Sequence, residues 1–219
     1  MGRSSGYHDD VIIPAGSVNL RGRLRVPQFA RAVVVFAHAG GAERYSARSR
    51  NLADRFHAAG FGSLLFDLLT DEEDRSYGVR FDTDRITVRL LAVTRWLREH
   101  DGSRGLKQAY FATDTGVAAA IRVVAELATE QADYLIGAVV GCNGRPDLSG
   151  DYLASVRVPT LLITGERDAE LLRLNEAAVR RLAGPGALET VPETEGAPAT
   201  AEDSGRVPEV AVHWLEHYL

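Results

Sequence analysis

Residues 32–37, Ala-Val-Val-Val-Phe-Ala, are apolar at every position rather than at every second one. Such a run suits a strand covered on both faces, as in a parallel sheet sandwiched between helices. Residues 63–66, 108–113, 136–140 and 159–164 form further short strand-like runs, and 188–191 a last one. Helical patterns lie between them. The clearest covers 82–100, where Ile86, Leu90, Val93 and Leu97 share one face behind Asp82 as N-cap. Helices are also expected over 46–59, 115–128 and 171–183, the last burying Leu171, Leu174, Ala178 and Leu182. A final helix turns Val207, Val210, Trp214 and Tyr218 inward. This alternation predicts an α/β fold, a mainly parallel central sheet flanked by helices on both faces. Residues 11–13 and 18–26, joined at Gly16-Ser17, read as an antiparallel hairpin at a sheet edge. Residues 1–10 read as a loose leader and 70–80 as an acidic surface loop.

The 219 residues fit one domain, with no large lid expected. A net charge of -5 argues against nucleic acid or an anionic membrane as partner. No apolar run approaches the ~20 residues of a spanning helix. One cysteine excludes an internal disulfide and fits a reducing compartment, and the polar N-terminus shows no apolar signal core. The expectation is a cytoplasmic monomer or homodimer with a small-molecule substrate or ligand. No cofactor and no metal is expected. His213 and His217, four residues apart, supply only two ligands and read as surface.

The chemistry centres on Tyr110-Phe111-Ala112-Thr113-Asp114-Thr115-Gly116-Val117-Ala118-Ala119-Ala120. A strand ends abruptly, one polar residue follows, and an alanine-rich helix begins behind a glycine. This is the layout of a nucleophile elbow, Gly-x-Ser-x-Gly, with Asp114 in the serine slot. In a sheet of this kind ligands bind beyond the carboxyl ends of the strands. Those ends present His38, Asp67, Asp114, Cys142 and Asp168.

In order along the chain, the supporting stretches are Val33-Val34-Val35-Phe36-Ala37-His38 with Gly40-Gly41, Ala59-Gly60-Phe61 before Leu64-Leu65-Phe66-Asp67, the elbow, Asn143-Gly144-Arg145-Pro146-Asp147-Leu148, and residues 159–168 ending Gly165-Glu166-Arg167-Asp168. Together they resemble an α/β-hydrolase of the dienelactone-hydrolase-like branch, from about Val18 to Leu219. The resemblance implies a nucleophile, an acid and a histidine in that order. The nucleophile slot matches Asp114 and the acid slot Asp168. The histidine slot falls near Gly196, and residues 192–206 contain no histidine. The triad is therefore degenerate, and ordinary serine ester hydrolysis is not expected.

The leading expectation is an atypical enzyme with acid/base chemistry at Asp114, performing cyclisation, isomerisation, elimination or epoxide opening. A partly buried elbow carboxylate would have a raised pKa suited to proton transfer, while backbone N–H donors facing it would lower that pKa, and the sequence leaves the balance open. His38, on a strand expected beside the elbow strand, is a candidate to meet Asp114 or to hold the first loop. Asp168 would lack its histidine and could pair with Arg167. Glu195 could enter from the last loop. Arg44, Arg48 and Arg50 could hold a substrate carboxylate or form a solvated helix face. Asp67 and Cys142 complete the candidate lining, although Cys142, with no base evident beside it, reads first as a small core cysteine. Backbone N–H groups of Thr115, Ala39 and Gly40 would form the oxyanion-hole equivalent. The alternative is a catalytically dead pseudo-hydrolase that binds a ligand or partner. A third reading is an aspartate nucleophile served by a histidine from elsewhere.

Overall fold

The computed structural model describes residues 6–38, 46–132, 135–192 and 205–219. Eight strands form one sheet: β1 Tyr7–Ala15, β2 Val18–Val26, β3 Ala32–Ala37, β4 Gly62–Phe66, β5 Lys107–Asp114, β6 Ile136–Gly144, β7 Thr160–Gly165 and β8 Gly186–Val191. Their order across the sheet is β1-β2-β4-β3-β5-β6-β7-β8. The β1/β2 and β2/β4 pairs are antiparallel and the rest are parallel. The sheet is thus mainly parallel with an N-terminal hairpin, as the uniform apolar runs require.

Among the described residues five α-helices flank it: α1 Ala47–Ala58, α2 Thr83–Glu99, α3 Thr115–Thr129, α4 Ala169–Val179 and α5 Arg206–Tyr218. The two faces carry separate cores. One gathers β-strand side chains with α2, α3 and α4, around Leu64, Ile86, Leu90, Tyr110 and Val117. The other packs α1 and α5 over Phe36, Phe56, Phe61, Phe111 and Leu215. A buried side chain of this size contributes roughly 1.5–3 kcal/mol, so both faces are strongly driven to close. Asp82 caps α2 as expected, its carboxylate accepting from Arg85 N at 3.0 Å.

Four expectations change. β1 reaches back to Tyr7, into the stretch read as leader. Tyr7, His8, Asp9 and Asp10 pair with residues 23–26, and the polar side chains sit on an outer edge strand, where charge is tolerated and blocks further pairing. Residues 70–80 are ordered rather than a plain loop, with 3-10 turns at Glu73–Arg75 and Tyr77–Phe81. In α4 the fully buried positions are Asn175 and Ala178, not the leucines, because Asn175 donates to Gly144 O and Leu171 O. In α5 they are Val207, Ala211 and Leu215, with Val210, Trp214 and Tyr218 only partly covered. Small Ala211 lets the helix seat closely and leaves the aromatics at its margins.

Candidate active site

β5 delivers Asp114 to the carboxyl edge of the sheet, and α3 starts at the next residue. Asp114 has φ 49° and ψ −128°. A non-glycine residue held in such a region costs on the order of 1–3 kcal/mol. The surroundings enforce it. A Cβ on Gly116 would lie 2.0 Å from the carbonyl oxygen of Ala37, so α3 begins hard against the end of β3. A Cβ on Gly144 would lie 2.1 Å from Val117 Cγ2. Arg145 N donates to Asp114 O at 3.1 Å. Thr115 Oγ1 donates to Arg80 O at 2.9 Å, fastening the turn to the segment ahead of α2.

The Asp114 residue is exposed, which corrects the expectation of partial burial. The cause is the elbow itself, which lifts its central residue out of the sheet. Thr113 and Thr115 on either side are buried. His38 is also buried, and its Nδ1 lies 2.7 Å from Thr113 Oγ1. The β3/β5 pairing, with Ala37 opposite Ala112, brings these two side chains together. His38 is therefore tied to the residue that precedes Asp114.

The other candidates separate. Asp168 is exposed and caps α4, its Oδ1 accepting from Leu171 N at 2.9 Å. Cys142 is wholly inaccessible within β6, which corrects its assignment to a substrate-facing position: its side chain points into the α1/α5 core. Asp67 is buried beside a hollow of about 460 Å³ shared with Leu20, Arg21 and Glu73. A different hollow of about 410 Å³ opens at His38, where Arg48 and Arg55 of α1 and Phe111 of β5 line it. Thr115 is the first residue of α3, so its N–H is outside the helical bonding pattern. Ala39, Gly40, Arg44, Glu195 and the histidine slot near Gly196 lie outside the described residues. Among the described residues no group of three or more His, Cys, Asp or Glu side chains is arranged to hold a metal. No helix there is long and apolar enough to cross a membrane.

Sequence reasoning missed the support around the elbow. Glu73 accepts from Arg89 Nη1 and Nη2, each at 2.6 Å, and from Arg85 Nη1 at 2.7 Å. Arg89 Nη1 also donates to Leu68 O at 2.8 Å. The hydrogen bond from Arg89 holds the Glu73 carboxyl down at about 2. This clamp fixes the 68–82 segment whose Arg80 carbonyl receives Thr115. The spacing of Arg85 and Arg89 by four on α2 was the available signal, but Glu73 is too far away in sequence to be paired with them by pattern. Asn175 was likewise hidden inside an apolar helix face.

No protein-family model matches the chain. A protein of Mycobacterium tuberculosis named "Putative phosphoribosyl transferase" is 41% identical over 203 residues, covering 93% of this chain but 44% of its own length. The chain thus spans less than half of that curated relative. The esterase Pf2001 of Pyrococcus furiosus has the same fold, with a TM-score of 0.72 at 17% identity over 97% of this chain and 91% of its own. The dienelactone hydrolase of Anabaena variabilis superposes with a TM-score of 0.87 at 34% identity, over 98% of this chain and 99% of that one. Likeness at that identity, end to end in both chains, shows that this chain belongs to the dienelactone-hydrolase-like branch of the α/β-hydrolases.

Proposed function

We propose that this domain is an atypical α/β-hydrolase-fold enzyme that acts on a small organic substrate by proton transfer at Asp114. One observation carries the reading. The chain maintains a strained elbow, packed so tightly at Gly116 that no side chain fits, and uses it to present an exposed carboxylate. Backbone strain of this kind concentrates at functional sites. The exposed carboxylate is open to a substrate and is assigned the role of base. The His38–Thr113 contact supports the turn from below. The Thr115 N–H is a donor for the oxygen on which charge develops. Isomerisation, elimination, cyclisation and epoxide opening all fit a base with one oxyanion donor. The test compares wild type and Asp114→Asn on small-molecule extracts, followed by mass spectrometry. A compound consumed by the wild type should turn over about 10²–10⁴ times more slowly in the variant, the range for general acid–base catalysis. Equal consumption by both sinks the mechanism.

A second reading is the pseudo-hydrolase. Asp168, in the acid slot, spends its carboxylate on capping α4, a structural use that needs no substrate. A compound retained by both proteins and converted by neither supports this reading. The name carried by the mycobacterial relative, together with the partial coverage of its length, favours a further possibility for the whole protein: a domain like this one working beside a phosphoribosyl-transfer domain. Pyrophosphate release from 5-phosphoribosyl diphosphate by this chain alone would instead locate that activity here.

A further inference from the structure

The hollow at His38 lies on the α1/α5 side of the sheet, and its lining divides into two kinds of surface. Leu52, Phe111 and Val207 are buried and give it an apolar floor. Arg48, Asn51 and Arg55 stand along one face of α1, at spacings of three and four, and form its rim. The two guanidinium-bearing positions are two helical turns apart, about 10 Å along the axis. The opposite wall is the first turn of α5, whose N-cap is Gly205. A helix start carries partial positive charge; here the lining backbone N–H groups are those of Gly205 and Val207, since Pro208 has none, and Glu209 of the same turn is not in the lining. None of the described lining residues is acidic. The volume of about 410 Å³ is that of a small-molecule site.

We propose that this cavity takes a phosphate monoester whose organic part is an apolar ring. The ring lies on Leu52, Phe111 and Val207. The phosphate is held between the α1 arginines and the start of α5. A carboxylate has two oxygens, which a single bidentate guanidinium satisfies. A phosphate offers three terminal oxygens and up to two charges, enough to engage α1 and α5 together. His38 lines the cavity and touches Thr113, the residue before Asp114, which joins the cavity to the elbow. The inference rests on the proposed function only in treating the ligand as the substrate of Asp114; binding itself does not depend on that.

The test is calorimetric titration with phenyl phosphate, benzoate and inorganic phosphate. The proteins are the wild type, Asp114→Asn, and the double variant Arg48→Gln/Arg55→Gln. Both arginines are exposed, and a thermal melt checks that the double variant stays folded. Phenyl phosphate should bind the wild type more tightly than either other probe and bind Asp114→Asn equally well. Its Kd should rise tenfold or more in the double variant. Failure of the wild type to bind phenyl phosphate, or an unchanged Kd in the folded double variant, overturns the proposal. So does tighter binding of benzoate, which would make the cavity a carboxylate site. Arginine-dependent binding together with unimpaired turnover in Asp114→Asn would retain the cavity and discard the proposed mechanism. The converse pattern would do the opposite.

Discussion

The carboxyl edge of the sheet and its amino edge make an instructive pair. At the carboxyl edge, the slots of a hydrolase triad hold Asp114, raised on the elbow, and Asp168, which caps α4. At the amino edge, three residues of the right types stand in a row. Ser63 Oγ lies 2.8 Å from His57 Nε2, and His57 Nδ1 lies 3.6 Å from Asp54 Oδ1, too far for a hydrogen bond but within ion-pair reach. Yet Ser63 is buried in the regular strand β4, with no elbow beneath it. Its hydroxyl joins β4 to α1. Residue types therefore do not make a site here. Exposure on a strained turn belongs to the other end of the sheet, at Asp114, which is where the proposed function puts the chemistry.

The largest expected difference is in turnover. Ser63→Ala should leave consumption of any substrate unchanged, whereas Asp114→Asn should lower it by about two to four orders of magnitude. Parallel assays of the two variants on one converted compound check this. Loss of activity in Ser63→Ala with the fold intact would mean that the amino-edge row takes part in chemistry and that the contrast is misdrawn.

Backbone packing gives the next contrast. A Cβ at Gly116 would meet the Ala37 carbonyl oxygen at 2.0 Å, and backbone cannot move aside as a side chain can. At Gly62, beside Ser63, the nearest atom is Arg25 O at 3.0 Å. Gly116→Ala should destabilise by about 3 kcal/mol or fail to fold, and Gly62→Ala by about 1 kcal/mol, following the cost of overpacking. Urea titration measures both. Equal losses would show that the elbow is no more tightly built than an ordinary strand start.

The same contrast explains what could be read from the sequence. The apolar runs at 32–37 and 136–140 and the polar-to-glycine break at 113–116 are local patterns, and they give the parallel sheet and the elbow directly. Exposure of Asp114 is not local. It depends on α3 pressing against β3 at Gly116, a contact between residues some eighty positions apart in the chain. The Glu73–Arg85–Arg89 clamp was invisible for the same reason, since an acidic stretch reads as solvated until its cations are placed. Asp168 matched a motif slot, but a short acid before a helix is also an N-cap, and the structure shows it in that use.

The clamp supplies the third prediction. Glu73 has its pKa lowered from 4.5 to about 2, chiefly by the hydrogen bond from Arg89. A carboxyl depressed on folding contributes stability that is complete above about pH 4.5 and is lost as pH falls towards 2. The shift corresponds to at most about 3 kcal/mol, reduced by solvent on the partly exposed Arg85 side. Glu73→Gln should flatten the acid limb of a stability–pH curve between these limits and lower stability at neutral pH. An acid limb as steep as that of the wild type would remove Glu73 as its source.

The smallest effect belongs to the amino-edge row. His57 has a lowered pKa, first through burial and then through Arg25, with Asp54 opposing and His8 adding to the depression. Arg25 Nη1 sits 3.2 Å from Asp54 Oδ1, so the aspartate divides its charge between the arginine and the ring. A histidine depressed on folding binds its proton more readily in the unfolded chain. Stability is then full above the ordinary value near 6.5 and declines as pH falls below it, until the native ring also protonates. His57→Gln should reduce that decline, leaving the share of His100, whose pKa burial also lowers, and leaving the lower Glu73 transition in place. Thermal melts at half-unit steps from pH 7.5 down to about 2 separate the two. A decline undiminished in His57→Gln would assign it to His100 or another group, and Ser63 would then be bonded to a ring whose protonation does not matter to the fold.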